Sequence, residues 1–177
     1  MSDPGGAARL AAQIRDVPDF PRKGIVFKDI TPVLQDPESL RLACGLLTAP
    51  FRNARIDLVV GIESRGFIFG VPVALALGAG FAIARKQGKL PWDTKSESYQ
   101  LEYGQAEIEM HSDAVRAGQR VLIIDDVIAT GGTAAATARL VRALGGDVVA
   151  AGFLIELGFL DGRKALEGLA IEAVLRF

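Results

Sequence analysis

The sequence predicts an α/β fold with a central, mostly parallel sheet flanked by helices. Short apolar runs of strand length, at 56–62, 120–126 and 148–157, alternate with longer segments whose apolar residues recur at helical spacing. Runs that are apolar on both faces are typical of parallel strands covered by helices on either side. One segment, 98–111, partly alternates apolar and polar residues around a glycine, which indicates antiparallel edge structure.

Length and composition fit a single domain spanning 1–177. Half of the 177 residues are hydrophobic and 23% are charged, which supplies a core and argues against disorder. A net charge of −1, with no long run of one sign, gives no basic surface for nucleic acid or for an anionic membrane. Cys44 is the only cysteine, so no disulfide can form within the chain. The first residues lack the pattern of a secretory signal, and we expect a cytoplasmic protein.

An uncharged stretch at 66–84 approaches the length of a membrane-spanning helix. Glycines and a proline interrupt it, so we predict a helix at 66–77, a glycine turn and a strand at 81–85. The other elements are predicted as a helix at 7–15, a proline-rich connector at 17–32, a helix at 36–53, a helix at 133–145, a short helix at 161–167 and a last strand at 171–177. Asp36 can cap the 36–53 helix, and Pro37 suits its first turn.

The strongest functional signal is LIIDDVIATGGT, residues 122–133, at the end of a predicted buried strand. In parallel sheets, ligands bind beyond the carboxyl ends of the strands. Glycines let backbone N–H groups approach an oxygen-rich ligand, and the helix that follows adds free N–H groups and a partial positive charge. The pattern indicates a phosphate cradle at 129–133, with a plain capped turn as the alternative. It is not a Walker A loop, since no lysine follows the glycines, and G-x-G-x-x-G is absent.

Asp125 and Asp126 precede this cradle and have to bind something other than the phosphate, because carboxylates repel it. They suit neutral hydroxyls, a cation or both, so the predicted ligand is a ribose phosphate. Successive side chains of a strand point to opposite sides. One aspartate is therefore expected to fix the loop while the other faces the crevice, and the sequence leaves open which of the two contacts ribose.

Arg65 lies after another predicted strand end, in GIESRGF at 61–67. An arginine at a helix start opposes the helix dipole, so its position calls for an external, negatively charged ligand. Its guanidinium fits phosphate oxygens as a fork. The alternative is a surface pair with Glu63, two residues away.

The 122–133 run closely resembles the phosphoribosyl-pyrophosphate motif of the type I phosphoribosyltransferases. Segments 18–37, 61–74 and 85–104 resemble the adenine-specific branch of that family. The resemblance implies a type I phosphoribosyltransferase-like fold. Within it, an N-terminal hood would occupy about 1–35, a flexible antiparallel lid loop would occupy about 85–104, and the protein would form a homodimer.

Taken residue by residue, the resemblance implies a complete site. The ribose and 5-phosphate of the donor are expected to bind Asp125, Asp126, Ala129, Thr130, Gly131, Gly132 and Thr133. The pyrophosphate is expected to bind Ser64, Arg65, Arg85, Lys86 and Lys89, with Arg85 acting across the dimer interface. Adenine is expected to bind Val26, Phe27, Lys28 and Leu157. Catalytic roles fall to Arg65, Arg85, Glu102 and Tyr103, with Glu102 handling the purine proton as general base and acid.

Two of these assignments have alternatives. Lys28 stands where related sequences carry arginine, a change that is harmless if the base is bound through the main chain. The segment LEYGQAEIE, 101–109, could instead be an ordinary exposed edge strand with outward glutamates. Trp92, in the predicted lid, is expected to contact the body of the protein and not to stack on a base.

The activity implied by the resemblance is transfer of the 5-phosphoribosyl group from phosphoribosyl pyrophosphate to adenine, giving AMP and pyrophosphate for purine salvage. Mg²⁺ is expected as cofactor, bound mainly through the substrate and not in a cage of protein ligands. One alternative is the same chemistry on guanine, xanthine or a pyrimidine. Another is a non-catalytic regulator that binds the donor as an effector. No nucleic-acid or membrane partner is expected.

Overall fold

The computed structural model describes residues 4–100 and 105–177. The helices are α1 (Pro4–Ala11), α2 (Thr31–Gln35), α3 (Pro37–Thr48), α4 (Arg65–Leu77) and α5 (Gly132–Ala143). The strands are β1 (Arg15–Pro18), β2 (Val26–Asp29), β3 (Leu58–Ile62), β4 (Gly80–Lys86), β5 (Thr94–Gln100), β6 (Gln105–His111), β7 (Arg120–Ile128), β8 (Asp147–Glu156) and β9 (Ala170–Arg176). Short 3₁₀ turns lie at Ala49–Phe51, Gly158–Leu160 and Gly162–Leu166.

Seven strands form the central sheet, in the order β5-β6-β4-β3-β7-β8-β9. The strands from β4 to β9 in this order pair in parallel, while β6 runs antiparallel to both β4 and β5. The predicted α/β fold with a mostly parallel sheet is therefore confirmed. Strands β3 and β7 lie in the middle of the sheet and run parallel to each other. The predicted site loops that follow them therefore lie side by side, beyond the carboxyl ends of the strands.

Helices cover both faces of this sheet, as the apolar runs predicted. Successive residues of β7 face opposite sides: Leu122 and Ile124 pack with α3 and α4, whereas Val121 and Ile123 pack with α5. All four of these side chains are fully buried. Within the described residues, no helix is both long and apolar enough to cross a membrane, and the uncharged stretch at 66–84 divides into α4 and β4.

Helix boundaries follow the capping signals more closely than the apolar pattern. Asp36 caps α3 by accepting a hydrogen bond from the Ser39 backbone N–H at 2.8 Å, as predicted. The predicted helix at 36–53 was too long, because α3 ends at Thr48 and a 3₁₀ turn containing Pro50 follows. Likewise α1 ends at Ala11, whereas a helix to residue 15 was predicted.

The proline-rich segment at 17–32 is not a simple connector. Strand β2 pairs antiparallel with β1 in a separate two-stranded sheet, with Val17 opposite Phe27, and α2 follows at once. From here on, the hood means this β1–β2 sheet, which is part of the 1–35 segment predicted as the hood. The hairpin thus takes the last residue of the predicted 7–15 helix and much of the predicted connector. The prolines in this segment made the two short strands hard to recognise from the sequence.

Much of the predicted lid at 85–104 is regular strand. Strand β4 continues to Lys86, and β5 begins at Thr94. Strand β5 is the edge of the sheet, while β6 lies between β5 and β4, so the edge predicted for 98–111 belongs to β5 alone. Residues 101–104 lie outside the described residues.

Candidate active site

A cavity of about 330 Å³ opens beyond the carboxyl ends of β3 and β7, where the sequence placed the ligand. The hood closes one side of it, and the start of α5 closes the other. The predicted residues that line this cavity are Val26, Phe27, Lys28, Arg65, Lys86, Asp125, Asp126, Ala129, Thr133 and Leu157. The hydrophobic residues predicted for the base and the polar residues predicted for the donor therefore share one space.

The loop between β7 and α5 forms a second, smaller recess of about 80 Å³ beside the cavity. It is lined by the predicted cradle residues Ala129, Thr130, Gly131, Gly132 and Thr133. Gly131 adopts a left-handed conformation with φ of +80°, and a β-carbon there would overlap the carbonyl oxygen of Gly162. Only glycine fits this turn, and the residues that start α5, where helices have free N–H groups, line the recess that it shapes.

Asp125 and Asp126 both line the cavity, but they make different contacts. Asp125 Oδ1 accepts a hydrogen bond from the Asp126 backbone N–H at 2.8 Å and lies against Gly66 of α4, where a β-carbon would come within 2.9 Å of it. Asp126 Oδ2 accepts from Arg65 Nε at 2.5 Å. The prediction that one aspartate fixes the loop suits Asp125, since its carboxylate bonds the loop's own backbone.

Burial and the neighbouring Asp126 carboxylate raise the pKa of Asp125 well above its ordinary value, with Arg65 opposing the shift. Two adjacent carboxylates at the mouth of one cavity are an unfavourable arrangement for the folded chain. Such an arrangement is typical of sites whose charges serve a ligand.

Arg65 has a partner inside the chain, which corrects the reason given for its position. Its guanidinium pairs with Asp126 and lies 5.7 Å from the centre of the Phe27 ring, so an external anion is not needed to explain an arginine at the start of α4. The alternative pairing with Glu63 was also wrong, because Glu63 pairs with Arg85. With 43% of its side chain exposed, Arg65 still presents N–H groups to the cavity.

Glu63 organises the basic residues at the end of β4. Its Oε2 accepts from Arg85 Nε at 3.2 Å and from the Lys86 backbone N–H at 3.1 Å. Arg85 also donates to the Lys89 carbonyl oxygen at 3.2 Å. The side chain of Lys86 lines the cavity, while Arg85 is held beside it by Glu63.

Glu109 of β6 is a buried carboxylate, which contradicts for this residue the alternative of an exposed edge strand with outward glutamates at 101–109. It is 4% exposed, and its Oε1 accepts from the backbone N–H groups of Lys89 and Leu90 at 2.9 and 3.0 Å. Burial acts to raise the pKa of Glu109, but hydrogen bonds from the backbone of Lys89, Gly88 and Leu90 lower it below its ordinary value. Glu109 thereby fixes the turn that carries the predicted lysines.

The hood supplies the apolar end of the cavity. The Phe27 ring packs edge-on against Phe20, with the ring centres 5.2 Å apart, and Leu157 faces the same space from the turn after β8. Lys28 Nζ donates to Asp16 Oδ1 at 2.7 Å and lies 4.1 Å from the centre of the Phe177 ring. The Lys28 ammonium is therefore engaged by protein groups, which favours base recognition through the main chain.

Some predicted site residues lie apart from this cavity. Ser64 and Lys89 are exposed and, like Arg85, are not among the residues that line it. Glu102 and Tyr103 lie outside the described residues, so their catalytic assignment stays a prediction. Trp92 is 64% exposed and does not line the cavity either.

The structure adds lining residues that the sequence did not single out. These are Ile25, Ile62, Glu63, Tyr99, Ile108 and Val127. Three of them belong to apolar strands, where a pattern marks core positions without showing which ones border a cavity. Of these six residues, only Ile108 lies outside the segments that carried the family resemblance, so for the others a signal existed.

A protein-built metal site is a separate question from the cavity. No group of three or more histidine, cysteine, aspartate or glutamate side chains that could hold a metal occurs among residues 4–100 and 105–177. The oxygen donors that border the cavity are the carboxylates of Asp125, Asp126 and Glu63, and a hard cation such as Mg²⁺ accepts ligands of this type.

Comparison with known proteins agrees with this geometry. The phosphoribosyl transferase domain profile matches residues 31–166. The adenine phosphoribosyltransferase of Anaeromyxobacter sp. (strain Fw109-5) is 59% identical over 168 residues, which cover 95% of each chain.

Two solved structures extend the comparison to the fold. The crystal structure of adenine phosphoribosyltransferase from Rhodothermus marinus DSM 4252 is 58% identical, with a TM-score of 0.94, covering 98% of this chain and 99% of that one. The enzyme from Saccharomyces cerevisiae, complexed with an imino-altritol bisphosphate and adenine, is 39% identical with a TM-score of 0.90, covering 96% and 98%.

Proposed function

Because the chain belongs to the phosphoribosyltransferase family, we propose that it is an enzyme of purine salvage that makes AMP from adenine and phosphoribosyl pyrophosphate. In this reaction N9 of adenine forms a bond to C1 of the ribose. The bond from C1 to the pyrophosphate oxygen breaks and its electrons leave with pyrophosphate, while the base loses the N9 proton. The observation that carries the proposal is that the glycine-floored recess at 129–133 adjoins the cavity whose apolar end the hood forms.

The 5-phosphate of the donor fits the recess at 129–133. Backbone N–H groups at the start of α5 bind its oxygens, and the hydroxyls of Thr130 and Thr133 add donors. Since Asp125 and Asp126 repel this phosphate, they bind the uncharged hydroxyls of the ribose further along the cavity. Asp126 carries the ribose contact on the crevice side, held in place by Arg65.

The pyrophosphate leaves on the side of Arg65 and Lys86. Both side chains border the cavity, while Arg85 lies beside it at the end of β4, and Lys89 and Ser64 lie in the neighbouring loops. When bound with the donor, Mg²⁺ supplies further neutralisation of the pyrophosphate oxygens. As positive charge grows on C1 during bond breaking, these cations stabilise the anion that departs.

Adenine binds between Leu157 and the hood, with Val26 and Phe27 forming the apolar slot. The backbone groups of Val26 and Lys28 recognise the edge of the base. Glu102 accepts the proton that the purine imidazole ring loses during AMP formation and returns it in the reverse direction, and Tyr103, the next residue in the sequence, shares the catalytic assignment. Loop closure over this site would exclude water, which otherwise hydrolyses the activated donor.

The same family fold also serves other bases, so an assay has to compare them. Purified protein is mixed with Mg²⁺, phosphoribosyl pyrophosphate and one of adenine, guanine, xanthine or uracil, and nucleotide formation is followed by chromatography. We expect AMP and little product from the other bases. Product with another base only would contradict the adenine assignment, and donor binding without any product would identify a regulator.

We also propose that two copies assemble and that the enzyme works in the cytoplasm. Helix α4, which begins at Arg65 in the site, presents Ile68, Val71 and Leu75 on one face, and Leu75 is 77% exposed. An apolar stripe next to the site suits a second copy whose Arg85 completes the pyrophosphate end. Sedimentation velocity should show a dimer that Leu75→Glu weakens, and a monomeric wild-type protein would contradict it.

A further inference from the structure

Phe177 contacts both walls of the base end of the cavity. On one side its ring lies under the ammonium of Lys28, with Nζ 4.1 Å from the ring centre. On the other side its backbone N–H donates to the Glu156 carbonyl at 2.9 Å, and its carbonyl accepts from Gly158 N–H at 2.8 Å. Glu156 and Gly158 flank Leu157, so a single residue links the hood to the Leu157 turn.

The hood depends on such contacts because it has little support of its own. Strand β2 pairs only with β1 in its sheet, and Val26 is 47% exposed. Lys28, one residue beyond Phe27, has only 15% of its side chain exposed, because Asp16 and Phe177 enclose its ammonium. A cation above an aromatic face is attracted to it, and the attraction grows when water is excluded.

We propose that Phe177 is a positioning residue that sets the spacing between β2 and Leu157, and thereby the fit of the base. This inference rests on the proposed function. Phe177 does not touch the phosphate loop directly among the described contacts, and that loop belongs to β7 and α5. Loss of its ring therefore weakens the binding of adenine and leaves the binding of the donor nearly unchanged.

Phe177→Leu tests this, because leucine keeps the apolar bulk and the backbone bonds but removes the ring face. We expect KM for adenine to rise about three- to fivefold, while kcat and KM for phosphoribosyl pyrophosphate stay within about twofold. Phe177→Tyr keeps a ring and should restore the wild-type KM. The matched control is Phe159→Leu, since Phe159 lies in the adjacent Gly158–Leu160 turn and is 73% exposed.

A double-mutant cycle with Lys28→Met separates positioning from a general structural effect. If Phe177 acts through the Lys28 ammonium, the two substitutions remove the same interaction. The KM of the double variant for adenine should then be no higher than the larger of the two single-variant values. Three results would overturn the inference. The fold-changes in KM for adenine of the two single variants could multiply in the double variant, Phe177→Leu could leave this KM unchanged, or Phe177→Leu could change the KM values for adenine and for the donor equally. A wild-type protein that makes no AMP would instead contradict the proposed function, so the two failures are distinguishable.

Discussion

The two ends of the cavity are built with very different amounts of support. Strand β7 pairs with β3 and β8 on its two sides, and its residues Val121–Ile124 are fully buried. The hood has one strand pair, and Phe27 is only half-buried there. The donor end, which is the end proposed for the phosphoribosyl donor, thus lies at the centre of the sheet, whereas the base end, proposed for adenine, is attached to its surface.

This difference matches what each end has to recognise. Binding a phosphate depends on the direction of N–H groups and on close backbone approach, so the donor end requires a fixed framework. Apolar contact with a flat base is less directional, so a less supported strand can provide most of it, and the backbone groups proposed for the base edge belong to the paired strand β2. We therefore expect changes at the donor end to abolish turnover, and changes at the hood to affect mainly the base.

The largest effect is expected from Gly131→Ala. The new β-carbon would overlap the Gly162 carbonyl oxygen and displace the phosphate loop, so kcat/KM for the donor should fall by at least about 100-fold. Gly78→Ala is the matched control, because Gly78 also has a positive φ of +67° but faces open space. Steady-state kinetics with both variants would contradict the comparison if they lost equal activity.

Asp126→Asn should have the next largest effect. It removes the charged acceptor of Arg65 and the carboxylate proposed for ribose, and kcat/KM should fall roughly 30-fold or more. This loss is at the lower end of what removal of one partner of a buried charge pair usually causes, because Arg65 is partly exposed. Asp147→Asn, which breaks the exposed pair with Arg120, serves as the control and should remain fully active. An Asp126→Asn enzyme of normal activity would remove this aspartate from the mechanism.

A smaller and more selective effect is expected at the hood. Phe27→Ala removes part of the apolar slot, and KM for adenine should rise about tenfold while KM for the donor changes little. Phe159→Ala is the control, since Phe159 is 73% exposed and does not line the cavity. Equal losses for both substrates would show that the hood and the phosphate loop are one structural unit.

The smallest expected effect is on stability, and it is a gain in Asp125→Asn, whereas the preceding substitutions cause losses of activity. A carboxyl group whose pKa rises on folding stabilises the folded state most below its ordinary value, here 3.8, and that contribution is lost as pH rises through the folded pKa. Asp125→Asn removes the charge but keeps an acceptor for the Asp126 N–H. Thermal melts should show the variant gaining stability relative to wild type as the pH rises above about 4. A constant difference across that range would be the contrary result.

Local sequence predicted the strand end, the glycine turn and the helix start of the proposed donor end, because all three lie within 122–133. The hood was missed as a hairpin, because Pro18 and Pro21 disguise two short strands as a connector. Glu109 was not singled out for another reason: alternation in 101–109 left an outward glutamate possible, and only the fold shows that the 88–90 turn covers it with backbone donors.

The sequence by itself determined the parallel sheet, the glycine cradle and the two adjacent carboxylates, because each depends on side-chain periodicity or backbone freedom within one short segment. Only the tertiary structure decided their partners. Arg65 and Asp126 are 61 residues apart, and Lys28 meets Phe177 from the far end of the chain. Such contacts depend on how whole helices and strands pack, and a sequence pattern does not give the distance in space between residues of different elements.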